Sequence, residues 1–207
     1  MSKENYDHLK TITPVFRATW VNLFEKDKQG KYSLTMLFDP EDDLKKCPGQ
    51  DNVKHKFKMS LKQIVMQAIK EKWGDKTPKN LKLPFHEQDE DYDGYADHGF
   101  YAAARSPKRK PYVVDTNQTP LTDEEFYSGC YAQAIVHAYP FDFEDKEKGV
   151  KSRGVSLTLH GVIKIKDGER LGGGGVSNPE NDFEAMEGVD EMDDAPGDDD
   201  LDALING

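Results

Sequence analysis

Aromatic and basic side chains interleave along several short segments of this chain. Tyr131 and Tyr139 share one predicted strand, and Lys108, Arg109 and Lys110 follow one another between two prolines. Flat rings stack on the unpaired bases of a single nucleic-acid strand, and cations follow its phosphates. These residue types therefore predict a sequence-tolerant single-strand interface. Its candidate residues are Arg17, Tyr101, Arg105, Lys108, Arg109, Lys110, Tyr112, Tyr131, His137, Tyr139, Phe141, Lys151 and Arg153.

An acidic loop offers a different chemistry. Asp89, Asp91, Asp93 and Gly94 match the opening of a calcium-binding loop, but its twelfth position holds Phe100 where a bidentate Glu is needed. The six histidines form neither an H-x-x-H nor an H-E-x-x-H pattern, and a zinc site needs three or four converging ligands. We therefore predict a solvated acidic loop, with no metal, no cofactor and no catalytic site.

The charge of the chain is concentrated at one end. The 207 residues carry a formal net charge of -11. The last 36 residues, 172–207, contain 12 acidic residues and no Lys or Arg, so the rest of the chain has 28 basic and 27 acidic residues. This pattern excludes a uniformly acidic surface and indicates a near-neutral body with a polyanionic tail.

The rest of the composition bounds the class of protein. About 170 residues are enough for one hydrophobic core. The sequence contains no run of about 18 apolar residues and no apolar segment near Met1, so we expect no membrane contact and no signal peptide. Cys47 and Cys130 lie far apart without C-x-x-C spacing, which favours reduced thiols in a cytoplasmic protein.

Alternating apolar residues predict five principal strands, and a 3–4 spacing predicts one amphipathic helix. The helix is expected over residues 53–73, capped by Asp51 or Asn52 and ended by Gly74. The strands are expected over residues 13–24, 31–38, 100–105 with 112–114 returning, 129–139 and 155–165, with residues 142–151 as a charged connection.

Two of these strands also predict where side chains point. In residues 129–139 an alanine-rich face suits a tight interior, which leaves Tyr131, His137 and Tyr139 outside. In the first strand, Phe16 and Trp20 are expected to share one face. Residues 107–111 are expected to form a basic tip on a proline-bracketed hairpin.

The absence of an alternating βαβ rhythm favours an antiparallel barrel over a parallel sheet. We therefore predict a mainly β fold, a five-stranded OB-like barrel with the helix between its second and third strands. This domain is expected to cover residues 1–171. Residues 172–207 are expected to form a glycine linker and a disordered acidic tail.

The acidic tail suggests two roles. Its carboxylates mimic a polyanion and are expected to occupy a basic groove until DNA displaces them. Residues 198–205 mix acids with Leu201, Leu204 and Ile205, a composition suited to docking on a protein partner.

Four ordered segments resemble the OB-fold single-stranded-DNA-binding proteins of tailed bacteriophages. They are residues 31–39, 71–74, 126–134 and 167–173, and the similarity extends over about residues 10–183. The resemblance implies an OB barrel, an acidic tail, no metal and no catalysis. It also implies that the protein coats single-stranded replication or recombination intermediates in the cytoplasm of an infected bacterium.

The sequence thus favours a single-stranded-DNA-binding protein, either monomer or homodimer, whose tail contacts replication or recombination proteins. Two alternatives stay open. One is a metal-dependent phage nuclease or recombination enzyme that uses Asp89, Asp91 and Asp93, and the other is a protein-binding adaptor whose tail is the active part.

Overall fold

The structure, a computed structural model, describes Tyr6 and residues 8–39, 56–87, 99–145 and 150–171. The strands in these ranges are β1 (Lys10–Ile12), β2 (Phe16–Asn22), β3 (Tyr32–Phe38), β4 (Phe85–Glu87), β5 (Phe100–Ser106), β6 (Tyr112–Val114), β7 (Tyr131–Asp145) and β8 (Val150–Lys166). The helix α1 (Leu61–Trp73) is followed by a short 3-10 helix (Gly74–Lys76). Among the described residues, no helix is long and apolar enough to cross a bilayer.

Backbone pairing joins five of the strands into a closed ring. β2 pairs with β3, β3 with β5, β5 with β8, β8 with β7, and β7 with β2. These pairings are antiparallel except the parallel contact of β5 with β8. β1, β4 and β6 pair with β7, β5 and β8 respectively. The prediction of a mainly β protein with one helix is confirmed for the described residues.

The interior of the ring combines small and large side chains. Ala132, Ala134 and Ala138 on β7 are fully buried, as the alternation predicts. Phe16 and Phe38 fill the space that these alanines leave, with ring centroids 6.0 Å apart in an edge arrangement. The helix adds its own apolar face to this core through Leu61, Ile64, Val65 and Ala68.

The two longest strands form one hairpin, and the predicted connection over residues 142–151 is wrong. β7 continues to Asp145 and β8 begins at Val150, so the pairing extends beyond the ring as an arm. Ser152 and Gly154 lie opposite Phe143 and Phe141, which shows that strand pairing overrode the local charge pattern. We refer to residues 139–144 and 151–156 as the arm.

A β-bulge at His160 interrupts the alternation expected for the last strand. Ile135 pairs with Gly161 and Val136 with Leu159, so β8 has one extra residue at this point. Leu159 faces the core before the bulge, and Val162 does so after it. One face of the strand therefore does not continue through residue 165, because a bulge exchanges the two faces of a strand.

The basic tip, residues 107–111, is not the turn of a hairpin. β5 pairs with β8 at Ala104 and Arg105, and β6 pairs with β8 further along the same edge, both in parallel. The tip is thus a loop that connects two short strands, β5 and β6, which both pair with the same edge of β8. The Ser106 hydroxyl donates to the Arg109 carbonyl at 2.6 Å and closes this loop.

The first predicted strand, residues 13–24, corresponds to the shorter β2, and a second bulge lies within it. Thr19 pairs with Thr35 and Asn22 with Ser33, so two residues of β2 oppose one of β3. Trp20 at this bulge has a φ of 49°, which is uncommon for a non-glycine residue. Its side chain is 62% exposed instead of sharing the buried face of Phe16.

The helix begins later than its apolar pattern predicts. Residues 56–60 are not helical, and Ser60 is the N-cap of α1. The Ser60 hydroxyl accepts from the Gln63 N–H at 3.2 Å, and the Gln63 side chain accepts from the Ser60 N–H at 2.8 Å. This reciprocal capping box sets the start of the helix. Gly74 ends the helix as predicted.

Replacing Ser60 with Ala should destabilise the protein by about 0.5–2 kcal/mol, because a buried cap is lost and the Gln63 N–H loses its acceptor. Urea unfolding monitored by circular dichroism measures this change. Thr116→Ala in an exposed turn is the control and should stay within about 0.5 kcal/mol of the wild type. Equal stability of Ser60→Ala and wild type would contradict the assigned cap.

Candidate nucleic-acid interface

Six residues that pair directly across neighbouring strands form a line on the outer face of the ring. Tyr131 lies opposite both Lys166 and Arg17, Arg17 opposite Leu37, Leu37 opposite Tyr101, and Tyr101 opposite His86. Residues directly opposite each other point to the same face of a sheet. This cross-strand row, Lys166–Tyr131–Arg17–Leu37–Tyr101–His86, spans five strand spacings, or about 24 Å.

Rings and cations within the row are in contact. The Lys166 ammonium lies 4.4 Å from the centre of the Tyr131 ring, and the Arg17 guanidinium lies 6.0 Å from the same centre. At the other end, the His86 and Tyr101 rings stack with centroids 5.1 Å apart. Leu37 separates the two ends and is 1% exposed. The row therefore offers two aromatic platforms, one of them flanked by cations.

Small side chains form the floor beside the row. Ser33, Thr35 and Ala103 follow on the same face, with Thr35 opposite Ala103 and Ser33 opposite Arg105. Arg105 is exposed, and Trp20, at the bulge of the neighbouring strand β2, is 62% exposed. The result is a shallow face with an aromatic row at one end and a cation at the other.

The basic tip lies at the same end of the face as Arg105. Tyr32 pairs with Ser106, the residue that precedes the tip, and the Lys26 ammonium lies 5.7 Å from the centre of the Tyr32 ring. The Lys110 ammonium lies 5.5 Å from the centre of the Phe24 ring. Lys108, Arg109 and Lys110 are exposed, so the tip and the turn between β2 and β3 together form a cationic border.

That turn is held rigidly by Asp27. Its carboxylate accepts from the backbone N–H groups of Gln29 and Lys31, at 2.9 and 3.0 Å, and from the Ser33 hydroxyl at 3.1 Å. The Lys31 N–H is the largest cause that holds the pKa of Asp27 below its usual range. The Asp27 carboxylate thus has a structural role in the turn between β2 and β3.

The segment after β8, residues 167–171, forms a strap that fixes the cationic end of the row. Glu169 accepts through its carbonyl from the Arg17 side chain at 3.0 Å, and the Leu171 N–H donates to the Ser128 carbonyl at 2.9 Å. A Cβ at Gly129 would lie 1.9 Å from the Glu169 carbonyl oxygen, so only glycine fits there. Two of the segments that carry the sequence resemblance, around 126–134 and 167–173, therefore contact each other.

The Tyr127 side chain contacts the strap through its hydroxyl and its ring. Its hydroxyl donates to the Asp167 carboxylate at 2.9 Å and lies 3.0 Å from the Gly168 carbonyl, and its ring lies 4.0 Å from the Arg170 guanidinium. Burial and the bond to Asp167 raise the pKa of Tyr127 to about 12. The Lys164 ammonium, 2.7 Å away, and the Tyr127 hydroxyl hold the pKa of Asp167 below its usual range.

Two predicted interface residues lie away from this face. His137 is 9% exposed, and its Nδ1 lies 2.6 Å from His160 Nε2, so the expectation that it is an exposed outer residue is wrong. Its ring packs against the His160 ring, with centroids 4.8 Å apart, and its strand is paired there with Lys10 of β1. Tyr112 is 58% exposed but lies on β6, at an apolar groove lined also by Ile12, Ile135 and Ile163.

Four more predicted residues lie on the arm, on its two opposite faces. Tyr139 and Phe141 share one face, since they are two residues apart on β7. Arg153 lies on the other face opposite Asp142, with its Nε 3.0 and 3.1 Å from the Asp142 carboxylate oxygens, and Lys151 pairs with Glu144 at 3.8 Å. The structure therefore does not bring these cations together with the arm's aromatic rings.

Sequence reasoning missed two residues of the row and the exposure of Trp20. The expectation that Trp20 shares one face with Phe16 is wrong, because regular alternation in the sequence does not show the bulge. Lys166 lay beyond the end of the predicted last strand, and His86 was considered only as a weak metal ligand. A search for cations next to aromatic rings on paired strands would have found Lys166 beside Tyr131, but the pairing itself is not visible in the sequence.

The described residues bear on one part of the alternative of a metal-dependent enzyme, the presence of a set of metal ligands. Within the described ranges, no three His, Cys, Asp or Glu side chains come together as a set of metal ligands. Asp89, Asp91 and Asp93 lie outside the described residues, and so does Cys47. Cys130 is a free thiol buried in the core.

Comparison with known proteins places the chain in a family. A sequence model of the family described as "Enterobacter phage Enc34, ssDNA-binding protein" matches residues 9–195. The chain belongs to this family. Protein p50 of Acyrthosiphon pisum secondary endosymbiont phage 1 is 36% identical over 132 residues, which cover 58% of this chain and 67% of p50. The resemblance to a phage family is thereby confirmed.

Solved structures share the fold. The single-stranded DNA-binding protein from bacteriophage Enc34 matches with a TM-score of 0.57 at 19% identity, covering 88% of this chain and 97% of that one. The same protein in complex with ssDNA also gives 0.57, over 83% of this chain and 97% of that one. The single-stranded DNA-binding protein gp2.5 of bacteriophage T7 gives 0.51 at 14% identity, over 88% and 98%. The names of the family and of these proteins describe DNA-binding proteins and not enzymes.

Replacing Tyr127 with Phe should remove the phenol that ionises near pH 12. The folded protein keeps this proton while the unfolded chain loses it near pH 10, so the free energy of unfolding falls as the pH rises from about 10 to about 12. Ultraviolet titration of the folded protein and urea unfolding across this pH range measure both effects. In Tyr127→Phe this part of the alkaline loss should be absent.

The wild type is the control for this titration, because it differs from Tyr127→Phe by one phenol only. Titration of all nine tyrosines of the folded wild type near their ordinary pKa would contradict the hydrogen-bonded position of Tyr127.

Proposed function

We propose that this protein binds single-stranded DNA without sequence preference and coats it during phage replication or recombination. The observation that carries the proposal is the cross-strand row, which places two cations and two tyrosine rings on one face across six strands. Rings supply stacking that any base satisfies, and cations supply contacts to the phosphate backbone. Membership of the phage family supports the same function.

The path of the DNA strand across the face is set by the aromatic row at one end and the cations at the other. Bases stack on Tyr131 and Tyr101, whose positions are three strand spacings apart, about 14 Å. Arg105 and the basic tip then receive phosphates at the opposite border of the floor. Thr35 and Ala103 are small enough to let the strand approach the sheet between these two ends. A face of this size suits the low end of the roughly 4–16 nucleotides covered by one OB fold.

We propose that the closed ring is an OB barrel. Its five strands, taken in chain order as β2, β3, β5, β7 and β8, pair in the order first, second, third, fifth, fourth and first. The face of the second and third strands binds oligonucleotides in OB folds, and here these are β3 and β5. Tyr101 and Arg105 lie on that face, which supports both proposals together.

Binding by this face depends on local charge. The chain up to residue 171 has nearly equal numbers of basic and acidic residues. Attraction to phosphates therefore comes from the row and the tip, where cations are clustered, and should decrease with salt. The same clustering favours the predicted role of the tail, because Leu171 is bonded beside the Arg17 end of the row and the acidic residues follow it in the chain. It remains a prediction that the tail competes with DNA and that it contacts protein partners. The oligomeric state, monomer or homodimer, is also a prediction.

Replacing Tyr101 or Tyr131 with Ala should weaken binding to oligothymidine by roughly 1–3 kcal/mol each, because one stacking platform is lost. Fluorescence titration measures the affinity, and circular dichroism verifies that the variants fold. Tyr112→Ala, on a different face, is the comparison and should lose less. A larger loss for Tyr112→Ala than for both row variants would place the interface at β6 and contradict the row.

Replacing Lys108, Arg109 and Lys110 together with Ala should weaken binding equally for different sequences. The slope of log K against log salt should become shallower by about 0.7 for each lost phosphate contact. Titrations at several salt concentrations measure the slope. Lys76→Ala with Lys79→Ala, two exposed lysines near the end of α1, is the control. An unchanged slope in the triple variant would exclude the tip from the DNA path.

A further inference from the structure

The aromatic face of the arm has no part in the proposed function. Tyr139, Phe141 and Phe143 occupy every second position of β7 and therefore share one face. The Tyr139 side chain is 47% exposed and the Phe143 side chain 57%, and the Phe141 and Phe143 rings lie 6.1 Å apart between their centroids. An exposed row of apolar rings on a protruding hairpin indicates a surface that contacts a partner.

The chemistry of this face favours a protein partner over nucleic acid. Across the hairpin the three rings lie opposite small residues, Ser156, Gly154 and Ser152, so none of these six positions carries a charge. The charged side chains of the arm lie on its other face, in the ion pairs described above. Single-stranded DNA needs cations beside the stacking rings. The centres of protein interfaces are instead rich in aromatic side chains and depleted of charge.

The same face of β7 also borders an apolar groove. This groove has a volume of about 620 Å³, and Ile12, Val114, Ile135 and Ile163 contribute to its lining. We refer to it as the isoleucine groove. Ile135 and Phe143 are eight residues apart on β7, where alternation is regular because both register shifts of the hairpin place their extra residue in β8. The two side chains therefore lie on one face, about 26 Å apart along the strand.

Each molecule thus carries a projecting set of rings and a recess that can receive such rings. An aromatic side chain buries roughly 150–250 Å², so the half-exposed rings of one arm have roughly 250 Å² left to bury, and one arm in one groove buries roughly 500 Å² on both sides. That is the size of a crystal-packing contact, whereas a specific interface needs about 1,000 Å². Two reciprocal contacts related by a two-fold axis reach this size.

We propose that two copies of this chain form a weak homodimer in which the arm of each copy lies in the isoleucine groove of the other. Phe143, the most exposed ring of the arm, contacts Ile135 and Ile163 of the second copy in this arrangement. The contact is stabilised by burial of apolar surface and not by charge. Each chain has a formal net charge of -11, so two copies repel each other at low salt, and added salt should strengthen the dimer.

The proposal does not rest on the proposed function. The residues of the cross-strand row line neither the arm nor the isoleucine groove. The association is therefore measured without DNA, and its failure would leave the proposed function untouched. Failure to bind oligothymidine would likewise leave the dimer untouched.

Sedimentation equilibrium of the full-length protein over a range of micromolar concentrations tests the association. The wild type should approach twice its monomer mass of 23.4 kDa as its concentration rises, and more readily at high salt than at low salt. Phe143→Ser should weaken the dimer by roughly tenfold or more, because each dimer loses two buried rings. Met66→Ser is the matched control, since Met66 is 58% exposed on α1, and it should retain the wild-type dimer.

Three outcomes of this measurement would overturn the proposal. One is the mass of a single chain at every concentration. Another is equal weakening of the dimer by Phe143→Ser and Met66→Ser. The third is association that weakens as salt rises, which would place the contact on charged surfaces.

Photo-cross-linking locates the contact. A benzophenone amino acid in place of Phe143 should join an isotopically labelled copy to an unlabelled copy, and the product should map to residues 112–114 or 161–163, which include the groove lining. The same probe in place of Met66 should give no such product. Products within one copy, products outside the groove, or cross-linking to added oligothymidine in place of the second copy would each overturn the proposal.

Discussion

The pairing of β7 with β8 is the constraint on which the rest of the structure depends. β7 also pairs with β1 and β2, and β8 with β5 and β6, so this hairpin closes the ring and pairs with four of the six other strands. The bulge at His160 lets Leu159 and Val162 both reach the core despite their odd spacing. The same pairing places Lys166 opposite Tyr131 and so begins the cross-strand row.

Backbone contacts of the strap hold the cationic end of the row in place. The strap crosses Gly129 so closely that any side chain at that position would collide with the Glu169 carbonyl. This contact brings the carbonyl to Arg17, which is thereby held beside the Tyr131 ring. A cation held in place loses less freedom when it meets a phosphate than a mobile surface lysine does. The two clustered surfaces, row and tip, thus compensate for a body with almost no net charge.

Two bulges explain why Trp20 and the end of the last strand do not follow the expected alternation. Alternation along a strand identifies its two faces only while the register is regular, and one extra residue exchanges them. Phe16 and Ala18 therefore lie inside as expected, whereas Trp20 points outward after the bulge. The helix start differed for another reason: Val53 and Phe57 continue the apolar spacing, but the cap at Ser60 decides where the hydrogen-bonded turns begin.

The sequence by itself determined the mainly β class, the single helix with its glycine end, the alanine-lined interior of β7 and the acidic tail, because these follow from local periodicity and composition. It also identified Arg17, Tyr101, Arg105, the tip and Tyr131, which the structure places on one face. Only the tertiary structure decided that this row continues to Lys166 and His86, that His137 is buried next to His160, and that Arg153 pairs with Asp142. Those outcomes depend on strand register between residues far apart in the chain, and local pattern carries no information about register.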